Sequence, residues 1–209
     1  QKVMDEVIIA DLEQIKKEFA LPRRTQIEDS REAVYEEEAP AVTEAVFVMD
    51  RFGYCKLLDK AAYERNREGI ESEYPYQIRC LTSDKICMFT NTGNLHQLKV
   101  SDIPFGKFRE KGTPIDNISR YDGGKEQIVY LDSGENMKGQ ILLFATKNAL
   151  VKQVSATEFE TNNRTVAATK LTEGDELVSV IPVTGKRDVV IQTDCGVFLR
   201  FLLEEIPIV

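Results

Sequence analysis

The chain has 209 residues, 42% hydrophobic and 30% charged, with a formal charge of −8. This balance supports a buried core and excludes the disordered and fibrous classes. No apolar run approaches the roughly 20 residues that span a bilayer, so no membrane partner is expected, and the acidic start Gln1–Glu6 does not read as a secretory signal.

The charge is uneven. Residues 1–40 hold 6 Lys/Arg and 11 Asp/Glu, which leaves 21 bases against 24 acids in the rest. Near-neutrality there permits a basic stripe along one edge. The chain opens on Gln1 rather than methionine, which points to a processed chain or a piece of a longer one.

Val3, Val7, Ile8, Leu12, Ile15 and Phe19 recur at steps of three and four, the apolar face of an amphipathic helix. Pro22 ends it, because the residue before a proline avoids helical geometry. So short a helix needs a partner surface, either the β domain that follows or a neighbouring domain whose tail it forms. Arg23–Arg24–Thr25 leads into an acidic connector with Glu28, Asp29, Glu32, Glu36, Glu37 and Glu38. Within it, Ala33–Val34–Tyr35 and Ala39–Pro40–Ala41–Val42 could add edge strands. The organisation expected is a helix over 1–22, a linker over 23–44 and a β domain over 45–209.

From Ala45 onward one pattern is written four times: an apolar run, a tight polar turn and a second alternating run, which together predict a β-hairpin. The hairpins start at Val46, Ile86, Ile141 and Val189. Gly53, Gly93, Asn148 and Gly196 are expected at the turn, since Gly and Asn tolerate positive φ best. A further strand precedes each later hairpin, at Gln77–Leu81, Gln127–Leu131 and Glu176–Ile181. A polar residue with an apolar plug follows each hairpin, at Asp59–Tyr63, Ser101–Pro104, Ala156–Phe159 and Leu203–Pro207. Repeats of 40–50 residues with several strands each predict radial blades. Cys55, Cys80, Cys87 and Cys195 fall in expected strands without metal-ligand spacing, as reduced structural thiols of a cytoplasmic protein do.

With the leading helix and Pro22–Arg23–Arg24–Thr25, these repeats resemble the A subunit of bacterial type IIA topoisomerases, DNA gyrase and topoisomerase IV. Thr90–Asn91–Thr92–Gly93 and Thr193–Asp194–Cys195–Gly196 fit the Thr-x-x-Gly turn of that family's blades, and Lys170–Val178 fits its lead-in to a new blade. The resemblance implies an all-β fold, a β-pinwheel of propeller-like blades preceded by a short α-helix and linker. It makes the helix the tail of the breakage–reunion domain. Gyrase members carry a Gln-Arg-Arg-Gly-Gly-Lys-Gly box in the loop leaving the first blade. The matching stretch here, Glu64–Arg65–Asn66–Arg67–Glu68–Gly69–Ile70–Glu71, keeps two arginines and one glycine and gains acids. Glycines let backbone amides approach phosphates while Arg supplies bidentate charge, so the clamp should be weaker, as in topoisomerase IV.

No catalytic constellation is expected. The family's cleavage tyrosine lies upstream, and Tyr54, Tyr63, Tyr74, Tyr76 and Tyr130 read as packing residues. His96, the single histidine, is expected to face solvent or a groove between blades, and Asp175–Glu176 and Glu204–Glu205 point opposite ways along a strand. The resemblance implies no cofactor in this chain; ATP and Mg2+ belong to the partner subunit. It implies double-stranded DNA as partner, within an A-subunit dimer joined by an ATPase B subunit. The expected phosphate contacts are Lys56, Arg65, Arg67, Lys107, Arg109, Lys111, Lys152, Arg164 and Arg200, with Lys107–Gly112 the densest basic loop. The function expected is non-catalytic binding and bending of duplex DNA. The alternatives are a blade-repeat scaffold for proteins, favoured by the acidic net charge, and a propeller hydrolase, which lacks a His/acid site.

Overall fold

A computed structural model describes residues 2–21, 24–25, 41–185 and 187–209. Its contacts divide the chain into two compact units, Gln1–Pro40 and Ala41–Val209. In the first unit, helix α1 runs over Lys2–Phe19 and places Lys16 and Lys17 in its last turn, against the negative end of the helix dipole. Its predicted stripe forms, but Val7, Ile8, Leu12, Ile15 and Phe19 are all at least half exposed. Pro22, Arg23 and the proposed edge strand Ala33–Tyr35 lie outside the described residues, as do Ala39 and Pro40; Ala41 and Val42 precede the first strand without joining a sheet.

The second unit is built from four hairpins. The first repeat comprises β1 (Glu44–Met49), β2 (Tyr54–Asp59), two short helices α2 (Lys60–Arg65) and α3 (Arg67–Glu73), and β3 (Tyr76–Leu81). The second holds β4 (Lys85–Thr90), β5 (Asn94–Lys99), β6 (Thr113–Pro114), the single turn α4 (Ile115–Ile118) and β7 (Ile128–Ser133). The third holds the single turn α5 (Gly134–Met137), β8 (Ile141–Thr146), β9 (Val151–Ser155), β10 (Thr165–Ala167) and β11 (Leu177–Val183). The fourth is a bare hairpin of β12 (Asp188–Gln192) and β13 (Phe198–Leu202).

Strand membership departs from chain order. The strands that precede each later hairpin pair back into the preceding sheet: β3 pairs with β1, β7 with β4 and β11 with β8. The far edge of a sheet is then supplied by the following repeat. β6 returns to β2, giving the order β3-β1-β2-β6, and β10 returns to β5, giving β10-β5-β4-β7. Each of the first two sheets is thus completed by chain from its neighbour, which covers an edge that would otherwise be open for pairing.

Alternation explains why β1 and β4 are buried from their second residue to their last. Phe47 and Met49 join a core with Ile86, Met88 and Leu98 of the second sheet, whereas Val46 and Val48 join Leu58, Tyr63, Ile70 and Tyr74. Cys87, Phe89 and Leu95 face the other way and meet Leu142, Phe144 and Val154 of the third sheet. The sheets therefore stack face to face, and side chains of successive residues serve alternate cores. Phe89 meets Phe144 and Phe159 edge-on at 5.6 and 5.2 Å between ring centroids, the geometry that aromatic quadrupoles favour.

All four turns carry the same hydrogen bond, Gly53 N to Asp50 O, Gly93 N to Thr90 O, Ala149 N to Thr146 O and Gly196 N to Thr193 O. The left-handed residue of the third turn is Ala149 (φ 61°), not Asn148 as expected. Counting three residues on from the residue whose carbonyl accepts this bond aligns Ala149 with the glycines. Asn148 instead donates its N–H to Asp175 Oδ1 at 3.0 Å. Cys55, Cys80 and Cys87 are buried in strands, and burial pushes their thiols up to about 12, 11 and 12. Cys195 is exposed in the last turn rather than in a strand.

Candidate nucleic-acid interface

The loop from Phe105 to Gly112 leads into edge strand β6 and carries Lys107, Arg109 and Lys111, all exposed. Two backbone hydrogen bonds start it along β2: Leu57 N donates to Pro104 O at 3.0 Å and Gly106 N to Leu57 O at 2.9 Å. Gly112 ends it at φ +85°, so close to β2 that a Cβ there would lie 2.5 Å from Cys55 O. Only glycine fits such an approach. Between these points Lys107 N donates to Glu110 Oε2 at 2.8 Å, and Glu110 N to Lys107 O at 3.0 Å. Phe108 packs on the core formed by Val46, Val48 and Ile70. The Lys111 ammonium lies 3.9 Å from the centroid of the Tyr54 ring, a cation–π contact that orients the charge without neutralising it.

Lys56 stands inside this loop, not on its surface. It is 1% exposed, and its ammonium donates to Phe108 O at 2.7 Å, to Lys107 O and Tyr74 Oη at 2.9 Å, and to Glu110 O. With its protons directed at these oxygens it presents nothing to a phosphate, and it is corrected from a surface contact to an interior one. Burial on both sides of β2 is the cause, since Cys55, Leu57 and Leu58 are equally enclosed.

The stretch expected to form a glycine-containing basic loop is helical. Arg65 ends α2, with Nε donating to Ala61 O at 3.0 Å, and Arg67 opens α3 in a 2.7 Å ion pair with Glu71. Gly69 serves packing: a Cβ there would sit 2.8 Å from Phe108 Cζ. This helical stretch is thereby the floor on which the basic loop rests.

Of the remaining candidates, Lys152 is half-buried over Phe144, donates to Ala168 O at 3.2 Å and has its pKa lowered by that burial. Arg200 is exposed and paired with Asp188 in the fourth hairpin. Arg164 is exposed and immediately precedes β10, the place in the second sheet that the loop 105–112 holds in the first. It lines a cleft of about 330 Å3 with Lys85 and Lys99, two bases that sequence reasoning passed over. The signal was available, because Lys85 lies directly opposite Lys99 in the hairpin, a like-charge pairing that disfavours the fold unless something compensates. Lys85 finds Thr161 O at 2.6 Å. Asp102 also lines the cleft.

His96 does not face solvent. It is buried between Glu126, 2.8 Å from Nε2, and Thr165 of the returning strand β10, 3.2 Å from Nδ1. Two glutamines also escaped notice. Gln97 Nε2 donates to Phe159 O at 2.8 Å, and Gln153 Nε2 donates to Leu203 O and Ile206 O at 2.7 and 2.8 Å. Each ties one repeat to the plug of the next. Among the described residues, no group of three or more His, Cys, Asp or Glu side chains could hold a metal ion, and no helix is long and apolar enough to cross a membrane.

Residues 84–133, 140–184 and 187–209 match the family described as "DNA gyrase C-terminal domain, beta-propeller". The DNA gyrase A subunit of Helicobacter pylori strain 26695 is 32% identical over 94% of this chain, and that of Lawsonia intracellularis is 30% identical over 98%. The chain spans about a quarter of the length of these relatives, 25% and 26%. Among solved structures, the C-terminal domain of a DNA topoisomerase IV superposes with a TM-score of 0.71 at 22% identity, covering 82% of this chain and 55% of that one. The E. coli ParC C-terminal domain does so at 0.62 and 16% identity, covering 79% and 67%. At these identities the structural likeness establishes the blade fold.

Proposed function

The chain belongs to the family of DNA gyrase C-terminal β-propeller domains, and on that basis we propose that its β unit binds and bends duplex DNA as a non-catalytic part of a type IIA topoisomerase. The observation that carries this reading is the position of four exposed bases. Lys107, Arg109 and Lys111 precede the borrowed edge strand β6, and Arg164 precedes its counterpart β10. Equivalent edges of successive stacked sheets thus offer positive side chains in sequence. Contacts of this kind reach phosphates rather than base edges, so binding is tolerant of sequence and steeply dependent on salt. Smooth bending of 20–30 bp costs about 1–6 kcal/mol, which requires several blades to act together. The duplex so held is presented to the cleavage gate of the upstream domain. The enzyme is completed in the cytoplasm by a second copy of the A subunit, together with an ATPase B subunit that handles ATP and Mg2+. The helix α1 forms the tail of the breakage–reunion region, and the residues after Pro22 connect it to the blades.

The weakened box favours modest wrapping. Arg67 is engaged by Glu71 and the stretch is helical, so the loop 105–112, with Lys107, Arg109 and Lys111 exposed, brings the denser group of bases to the first sheet. The test is affinity for a random-sequence duplex at two salt concentrations. Replacing Lys107, Arg109 and Lys111 together by Glu should weaken binding at low salt and reduce the slope of log K against log salt by about 0.9 for each phosphate no longer neutralised. Unchanged affinity and slope would remove the loop from the interface. Absence of binding by the unaltered chain at low salt would overturn the DNA reading itself.

A further inference from the structure

We propose that Lys56 is the positioning residue for the phosphate-binding loop, a buried ammonium around which the backbone of residues 107–110 is folded so that the loop's own cations stay outside. The inference rests on the DNA reading above. Four oxygens surround Nζ: the carbonyls of Lys107, Phe108 and Glu110, and the Tyr74 hydroxyl. Three of the four belong to the loop, and the fourth follows α3, so one charge joins the loop to the helical stretch on which it rests. None of these partners is a carboxylate. The ammonium is thus held by carbonyl and hydroxyl oxygens rather than by a counter-charge, and its position beneath the loop adds to the potential met by an approaching phosphate.

The other repeats act as an internal control. The residue three places after the left-handed turn residue is Lys56 in the first hairpin, His96 in the second and Lys152 in the third. In the second, the chain passes from the plug at Phe159 to the returning strand at Thr165 in a short link. In the first it runs the longer way from Ile103 to Thr113. The fully enclosed ammonium occurs where the long loop must be ordered, and ordering a loop costs conformational entropy that local bonds have to offset. His96 bridges to Glu126 and Thr165, while Lys152 reaches a single carbonyl.

The full chain tests this with two readouts: trypsin cleavage after Lys107, Arg109 and Lys111, and affinity for a random duplex at fixed ionic strength. Lys56→Met keeps the stem and removes the charge. It should speed cleavage and weaken duplex binding by about tenfold each, the scale of losing a charge-assisted hydrogen bond. Lys56→Ala should behave likewise and recover slow cleavage and affinity in propylammonium chloride, but not in the same concentration of NaCl; a merely space-filling role predicts no such rescue. Should Lys56→Met fail to fold, Tyr74→Phe carries the test, with about a two- to fivefold effect expected from loss of one neutral partner. Wild-type cleavage and affinity in the folded variants overturn the proposal, and so does faster cleavage with unchanged affinity. If the unaltered chain binds no duplex, the DNA reading fails, and the cleavage arm alone still judges the cage.

Discussion

Lys56 and Lys152 occupy the same place in their hairpins, opposite Val48 and Phe144, yet one is enclosed and the other half-open. Sequence alone makes them equivalent. The difference comes from the chain laid over them: a long loop that turns its carbonyls inward over Lys56, and a single carbonyl, Ala168 O, beside Lys152. A repeat fixes the position of a residue within its own sheet, and the neighbouring repeat decides what that residue does.

The largest expected effect separates these two lysines. Lys56→Met leaves three backbone carbonyls without their donor, and each unsatisfied buried group costs about 1–3 kcal/mol. Opening of the loop to water limits the total, so a loss of about 3 kcal/mol is expected in urea unfolding. Lys152→Met removes one 3.2 Å hydrogen bond from a group already short of solvent, and the change should stay within about 1 kcal/mol of zero. Equal losses at both sites would erase the distinction.

The turns offer a second contrast of the same kind, smaller in size. Gly93 and Ala149 both sit in the left-handed region, at φ 79° and 61°. A Cβ on Gly93 would lie 2.7 Å from Thr169 O, so Gly93→Ala adds a clash with backbone to the strain of the conformation, for a loss of about 2 kcal/mol. Ala149 already bears that conformational strain. Ala149→Gly should therefore stabilise the fold by about 1 kcal/mol, read as a higher urea midpoint with an unchanged slope. A lower midpoint would show that the alanine methyl contributes packing there.

The hairpins were legible because period-two alternation and Thr-x-x-Gly turns are local signals. Sheet membership was not, since the apolar pattern of Gln77–Leu81 specifies a strand but not whether the neighbour before or after it supplies the partner. The helices at Lys60–Glu73 did announce themselves in composition, being rich in Ala, Glu and Arg; the likeness to a glycine-containing loop obscured them. Lys56 could also have been read as interior. It lies within Tyr54–Cys55–Lys56–Leu57–Leu58, where apolar residues on both faces leave no solvent side for the one between them. Contacts formed by chain fifty residues away, such as Lys56 to Phe108, have no local signature.

The smallest effect is a pH dependence at Lys152. Burial over Phe144 disfavours the charged amine and lowers its pKa below the ordinary lysine value. In the window between the folded and the unfolded value, just below the ordinary pKa of about 10.4, the unfolded chain binds more protons than the folded one. Stability contributed by this group therefore rises with pH through that window. Below it both states are charged and the penalty of burying the ammonium is constant; above it both are neutral and the penalty is gone. Other groups titrate in the same range, so the measurement is the difference in unfolding free energy between the unaltered chain and Lys152→Met as pH is raised. That difference should move in favour of the lysine. A flat difference would mean that the amine reaches solvent freely, and that the third hairpin already leaves its lysine as available to a phosphate as Lys107 is.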